Sequence, residues 1–266
     1  MRMRYFTKRN RAILREMVSS DFKVRYQGSA LGYLWSLLRP LLMFSVLYVV
    51  FVYIFKLNRG VAHYPAYLLL GIVLWNFFFE TTTLGMTSVV DRGDLIRKIS
   101  IPRYLVVVSS SAAALINLSL NLLVVLFFAL INGVTPQMSW LWMIPLLIEL
   151  FFLSSTVAFF LAALFVKFRD ARYVWEVILQ AGFYGTPILY SLSLVSKELY
   201  QNLLLMNPVA QIMQDARYNV VTKTTVTGWS NMSFRFAVLP IVAVVIVGIL
   251  SIFYFKKQSK YFAENI

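Results

Sequence analysis

The sequence predicts an all-α, polytopic membrane protein with six transmembrane helices, and three observations predict it. Hydrophobic residues make up 60% of the 266 and charged residues only 14%, with a mean hydropathy of +0.73. That leaves too little polar surface to coat a water-soluble domain. Predominantly apolar segments near 37–56, 66–90, 104–131, 140–166, 174–192 and 235–255 have the length of about 20 residues that a helix needs to cross a hydrocarbon core about 30 Å thick. Strand-length alternation does not recur along the chain, so the pattern of an outer-membrane barrel is missing.

The elements follow in chain order. In "KRNRAILREMVSS", residues 8–20, Ile13, Leu14, Met17 and Val18 stand at helical spacing, with Arg9, Arg11, Arg15 and Glu16 mostly around the other side. This is the pattern of an amphipathic helix lying on a membrane surface. Ser20 or Asp21 is placed to cap a second segment through "FKVRYQGSALGYLW" toward the first span. Residues 1–36 thus read as an interface region ahead of the 37–266 bundle, within a single domain over 1–266. The region suits an electrostatic anchor on anionic lipid or a docking surface for a cytoplasmic partner, and the two are compatible.

The loop "DRGDLIRKISIPR", Asp91 to Arg103, carries Leu95, Ile96 and Ile99 on one side of a helical turn or two, and Pro102 opens the third span where proline is tolerated. A stub of this size suits a coupling helix held in a partner's groove. The alternative is that Asp91 and Asp94 bind a divalent metal and a pyrophosphate, against which Arg92, Arg97 and Lys98 crowd the pair. The fifth span is the weakest, because "GFYGTPILY" sets Gly182, Gly185 and Pro187 inside it. A bent or broken helix is expected there. The connection from Ser193 to Phe234 is too long for a simple turn. Its "LYQNLLLMNPVAQIMQDARYNVV" reads as two short helices at the outer surface, broken at Asn207 and Pro208, either a structural cap or a gate over an exit path.

Within the spans, "SSSAAA" at Ser109 to Ala114 offers small residues that let helices approach closely. Glu80 and Glu149 are costly at mid-membrane. Each is either paired or protonated within the bundle or part of a proton relay. The aromatics Trp75, Phe78 and Phe79 in "LWNFFFE", with Phe183, Tyr184 and Tyr190 in the fifth span, are either ordinary packing and interface residues or the lining of a cavity suited to the C–H faces of sugar rings.

Charge fixes the expected orientation. Of 25 basic residues, nine lie in 1–39, four in 91–103, three in 167–172 and three in 256–260, against six elsewhere. Lys and Arg gather on cytoplasmic loops, so both termini and the charged loops are expected inside. The net charge of +14 is thereby explained by topology, and no nucleic-acid partner is implied. Zero cysteines and one histidine, His63, exclude disulfides and thiolate chemistry and leave little for a metal centre. The first apolar run starts behind the basic segment with no small-residue cleavage site, so it is not expected to be a removable signal peptide. The chain has no G-x-x-x-x-G-K-[ST] phosphate loop, so an ATPase driving it would be another chain.

Asp21, Lys23, Arg25, Tyr26, Gly28, Ser29, Leu31, Gly32, Trp35 and Pro40 resemble the D-x-K-x-R-Y-x-x-S-x-L-G-x-x-W opening of the ABC-2 type polysaccharide-export permeases, the family of O-antigen, capsule and teichoic acid exporters. "DLIRKISIPR" resembles the family's N-L-I-K-K-x-x-F-P-R, "FRDARYVWEVILQAGFYGTPILY" its R-D-x…S-P-I-x-Y span, and "MNPVAQIMQDAR" its outer N-P…R segment. Asp94, Ile101 and Thr186 depart from the usual Asn, Phe and Ser. The resemblance implies a bacterial inner-membrane permease that forms a homodimer and binds two copies of a nucleotide-binding ATPase subunit. It implies a channel for a polyprenyl-pyrophosphate-linked glycan or related lipid-linked polymer, with ATP and magnesium in the partner and no cofactor or catalytic site here. In such a protein Arg11, Arg15 and Glu16, and Asp94, Leu95, Ile96, Arg97 and Lys98, are the expected contacts to the ATPase. Lys23, Arg25 and Arg39 would meet the pyrophosphate, because guanidinium groups match phosphate oxygens bidentately, and Asn207, Pro208 and Arg217 would sit at the outer gate. A drug or small-lipid exporter of the same class, a lipid-phosphate enzyme and a proton-driven carrier are the competing expectations.

Overall fold

The structure is a computed structural model that describes residues 8–26, 31–32, 34–56, 61–98 and 101–262. Its described residues form helices joined by turns and short loops, with no strand. In chain order they form α1 (Lys8–Tyr26), α2 (Leu34–Tyr48, continued by a π-helical turn to Ile54), α3 (Tyr64–Asp91), α4 (Gly93–Lys98), α5 (Tyr104–Ile131), α6 (Met143–Lys167, entered through a 3-10 turn from Met138), α7 (Ala171–Gly185), α8 (Glu198–Leu205), α9 (Pro208–Val220), α10 (Gly228–Asn231) and α11 (Phe234–Gln258).

Among the described residues, five segments are long and apolar enough to cross a membrane: Leu34–Ile54, Tyr64–Asp91, Tyr104–Ile131, Met138–Lys167 and Phe234–Tyr261. The hub is α3, buried nearly all round from Tyr64 to Val89, as a helix must be when neighbours surround it. It packs on α2, α5, α6, α7 and α9. Close approach depends on Gly85, where a Cβ would come 2.5 Å from the Ala158 Cβ of α6. The sole histidine holds the loop ends together, its Nδ1 lying 2.7 Å from the Asn132 carbonyl oxygen.

The span expected at 174–192 is not a full helix. α7 ends at Gly185 after 15 residues, a rise of about 22 Å, and a non-helical turn follows over 186–190. Gly182, Gly185 and Pro187 supply the physical reason, since proline removes a ladder donor and glycine favours termination. Even so, α7 runs antiparallel to α3 over most of its length. The Trp175 indole donates to Thr82 Oγ1 at 3.2 Å, Trp75 sits against Gly182, and the turn reaches the level of Tyr64 and Tyr67.

α1 is one continuous helix through Ser20 and Asp21, so the expected break there does not occur. It packs along α5 with Met17 buried and Ile13, Leu14 and Val18 half-buried. The bundle therefore has two ends. One carries α1, α4 and the 3-10 turn Ser259–Tyr261 after α11, with Phe262 buried among Val89, Val107 and Phe255. The other carries α8, α9 and α10.

Candidate functional site

A cavity of about 1200 Å³ opens among α2, α3, α5 and α7. α2 brings Trp35 and Arg39, one turn apart, with Met43 beyond them; α3 brings Trp75, Asn76, Phe79 and Glu80; α5 brings Asn117 and Asn121; α7 brings Gln180, Phe183 and Tyr184. The walls are mostly apolar and aromatic with a band of amides. Asn117 donates to Glu80 Oε2 at 2.7 Å, and Asn121 donates to the Ser36 carbonyl at 3.2 Å and the Asn117 carbonyl at 2.9 Å. Glu80 is thus bonded within the bundle and still faces the cavity. Phe183 meets Trp75 edge-on at 6.2 Å and Tyr184 at 5.4 Å. Tyr184 is 70% exposed, and α7 buries only Leu179 fully.

The residues expected from sequence divide clearly. Arg39, Trp75, Phe79, Phe183 and Tyr184 line this cavity. Phe78 lies behind the wall, 8% exposed and packed at a tilt between Trp75 and Trp175, and Tyr190 is half-buried against the main core. Lys23 is exposed on α1 and does not line the cavity. The Arg25 side chain lies outside the described residues, as do Gly28, Ser29 and Ile99.

At the α1 end, Arg11, Arg15, Glu16, Asp94, Arg97 and Lys98 are exposed, Leu95 is half-buried, and Ile96 packs back on the Val89–Phe255 cluster. Sequence reasoning did not single out the residue that ties this end together. Arg92, at the joint between α3 and α4, is ion-paired with Asp21 of α1 and donates to Ser109 Oγ of α5 at 2.7 Å. Three helices are therefore joined through one guanidinium. The pairing takes Arg92 away from any site with Asp91 and Asp94, and among the described residues no three His, Cys, Asp or Glu side chains gather as a metal site.

At the opposite end α8 and α9 meet at Asn207. Its side chain caps α9 by accepting from Val209 N at 3.0 Å, and its amide donates to Thr186 Oγ1 at 3.3 Å. Pro208 takes the first helical position, where its missing N–H costs nothing. The expectation of two surface helices needs correction for α9, which is buried on almost every side, Gln211, Gln214, Asp215 and Arg217 included.

Arg217 is fully buried and has a specific task. Its guanidinium lies 3.6 Å from the Tyr67 ring centroid and donates to the Pro187, Ile188 and Tyr67 carbonyls and to Gln214 Oε1. Tyr64 Oη donates to the next carbonyl, Leu189, at 2.7 Å. Three consecutive carbonyls of the non-helical turn, which have no helical partners, are thereby satisfied by side chains, as buried backbone requires. The fit depends on Gly71, where a Cβ would collide with the Arg217 guanidinium. Burial pulls the Arg217 pKa below its ordinary value, while the Tyr67 and Tyr64 hydroxyls act in the other direction.

An all-helical bundle with several membrane-crossing lengths and an open-sided internal cavity is the frame of a polytopic transport protein. Residues 14–221 match the family model described as ABC-2 type transporter, and the chain belongs to that family as a permease. It is 31% identical over 207 residues to the O-antigen export system permease protein RfbA of Myxococcus xanthus, covering 76% of this chain and 78% of the relative. Two proteins of the same name from Klebsiella pneumoniae are 28% and 27% identical over 198 residues, each covering 74% of this chain and 75% of the relative.

Proposed function

We propose that this permease exports a lipid-linked glycan, with the polymer or its head group passing through the cavity among α2, α3, α5 and α7. The single observation that carries the reading is the convergence of Arg39 with Trp35, Trp75, Phe79, Phe183 and Tyr184 on one cavity. A cation at one level and flat apolar faces beyond it suit a pyrophosphate followed by sugar rings. The names of the relatives, all O-antigen export permeases, support the substrate class.

The working unit on this reading is a homodimer with two ATPase subunits in the bacterial inner membrane. The exposed apolar faces of α2 (Leu42, Met43, Val46) and α7 (Tyr173, Val174, Val177, Tyr184) flank the cavity, so a second copy would close its open side. The α1 end faces the cytoplasm, as the basic loops favour, and α7 with its non-helical turn makes the sixth crossing. Exposed Arg11, Arg15 and Glu16 of α1 and Asp94, Arg97 and Lys98 of α4 meet the ATPase, and Arg92 passes the movement of α4 to α1 and α5. ATP and magnesium belong to the partner. Asn207, Pro208 and Arg217 form the cap at the outer end, where Arg217 fixes the turn over which the polymer leaves.

Reconstitution with the candidate ATPase tests the reading by measuring ATP-dependent movement of a lipid-linked glycan. Arg39→Ala is expected to reduce transport severalfold while the complex still assembles. Unchanged transport in that variant would defeat the head-group assignment. Transport of Glu80→Gln at the wild-type rate is also expected, and its loss together with ATP-independent movement would favour a proton-driven carrier instead.

A further inference from the structure

A second pocket, of about 550 Å³, lies at the cap end between the start of α6, α9, α10 and the start of α11. It is separate from the transport cavity, and nothing in the export reading depends on it. Its walls include Trp142, Trp229 and Tyr218 together with Glu149, Gln211 and Asp215. Among the described residues, no lysine, arginine or histidine lines it.

Three buried acceptors in this pocket have no hydrogen-bond partner among the described residues: Glu149 Oε1, Gln211 Oε1 and Asp215 Oδ1. Gln211 is 2% exposed and Asp215 6%, so water has little access to either. A buried acceptor left unmet is costly, and three in one pocket mark a place built to receive donors. The Trp229 indole and the Gln211 amide are both directed at the Asp215 carboxyl, which leaves the Gln211 carbonyl as its open group.

The chemistry of the missing partner follows from this lining. All the unmet atoms are acceptors and two belong to carboxyl groups, which ionise when a cation sits beside them, so the partner brings N–H donors and positive charge. A primary ammonium offers three donors on one centre. The indole and phenol faces add cation–π attraction for an organic cation and cannot ligate a metal, and a divalent ion would want six or more oxygens. Sugar hydroxyls would satisfy the acceptors without neutralising the carboxylates.

We propose that this pocket binds a primary ammonium group, held by Glu149, Gln211 and Asp215 beneath Trp142, Trp229 and Tyr218. Trp142 and Trp229 are exposed at helix ends, the level at which indoles mark the membrane interface. An ammonium at that level belongs to an aminophospholipid head group or to an amino sugar.

The test titrates the purified full-length chain with short-chain phosphatidylethanolamine, short-chain phosphatidylcholine, glucosamine, N-acetylglucosamine and calcium, and follows thermal unfolding by tryptophan fluorescence. Saturable stabilisation by phosphatidylethanolamine but not phosphatidylcholine assigns the lipid source. Stabilisation by glucosamine but not N-acetylglucosamine assigns the sugar source, and either result upholds the proposal. Equal shifts from the trimethylated or acetylated analogues, a shift from calcium alone, or no shift at all would overturn it. Glu149→Gln is expected to weaken the binding of the active amine at least tenfold. Should that variant fail to fold, Trp229→Leu at the exposed rim is expected to weaken it severalfold, and wild-type affinity in whichever variant folds would also overturn the proposal.

Discussion

Replacing Arg217 by Met is the sharpest test of how the cap is built. Methionine fills much of the stem volume but supplies no donor, so the Pro187 and Ile188 carbonyls and Gln214 Oε1 each lose a bond. The Tyr67 carbonyl, inside α3, keeps its helical partner. With Arg217 completely buried, water cannot replace the three lost bonds without opening the fold. Gln214 Oε1 keeps the Tyr67 hydroxyl as a donor, so two acceptors are left unmet, and at roughly 1–3 kcal/mol for each the loss is about 2–6 kcal/mol. Loss of the guanidinium's contact with the Tyr67 ring adds to it. The assay is hydrogen exchange on the purified protein, read separately for 186–190 and 208–220 and for α5 as an internal control. Faster exchange confined to the first two segments is expected, with a lower unfolding temperature. Wild-type protection across 186–190 in Arg217→Met would refute the assignment of Arg217 as the group that satisfies the turn.

Further outcomes follow from the same contacts. Asp21→Asn removes one partner of a pair about a fifth exposed on each side; it is expected to cost about 1–3 kcal/mol and to free α1 from α5, seen as increased exchange in α1. The exchanged pair Asp21→Arg with Arg92→Asp is expected to restore part of the protection. Gly85→Leu forces a side chain against Ala158 and is expected to lower the unfolding temperature by the 1–3 kcal/mol typical of overpacking. Burial pushes Asp215 up from 3.8 to about 7; the Trp229 hydrogen bond opposes this, the Glu149 carboxyl beside it adds to it, and the Gln211 hydrogen bond opposes it. The folded state therefore holds a proton that the unfolded state releases near pH 4. Cap stability is highest at low pH, falls as pH rises between those two values, and is lowest above 7, a loss of about 1 kcal/mol between pH 6 and 8. Asp215→Asn is expected to flatten that dependence in amine-free detergent.

Much of this architecture was legible because its signals are local. Apolar length located α2, α3, α5, α6 and α11, and the glycines and proline near 182–187 announced that α7 would end early. The cap at Asn207 was readable from Asn-Pro alone, since both residues act within one turn of themselves. What stayed hidden depends on partners distant in sequence. Nothing around Arg92 indicates that Asp21, on another helix, will meet it. Arg217 is expected at the outer gate on a surface helix, and its burial is not, because the stripe of Val209, Ile212, Met213, Ala216 and Val220 accounts for only one buried face. The remaining faces are buried because α3, α6, α8 and α11 also surround α9, a property of the assembly that periodicity does not encode. The site shows the same division. Aromatic composition singled out Trp75, Phe79, Phe183 and Tyr184, but only the packing separates them from Phe78 and Tyr190, which lie outside the cavity lining.

The absence of cysteine from the chain allows the central claim to be tested directly with single introduced thiols. Tyr184→Cys and Asn76→Cys place a thiol in the cavity, and Ile249→Cys places one on an exposed face of α11 away from it. Each variant is reconstituted with the ATPase, treated with a bulky thiol reagent and assayed for ATP-dependent transfer of a lipid-linked glycan. The account predicts that modification at 184 and 76 stops transfer while modification at 249 does not. Full transfer through a protein modified at both cavity positions would contradict it.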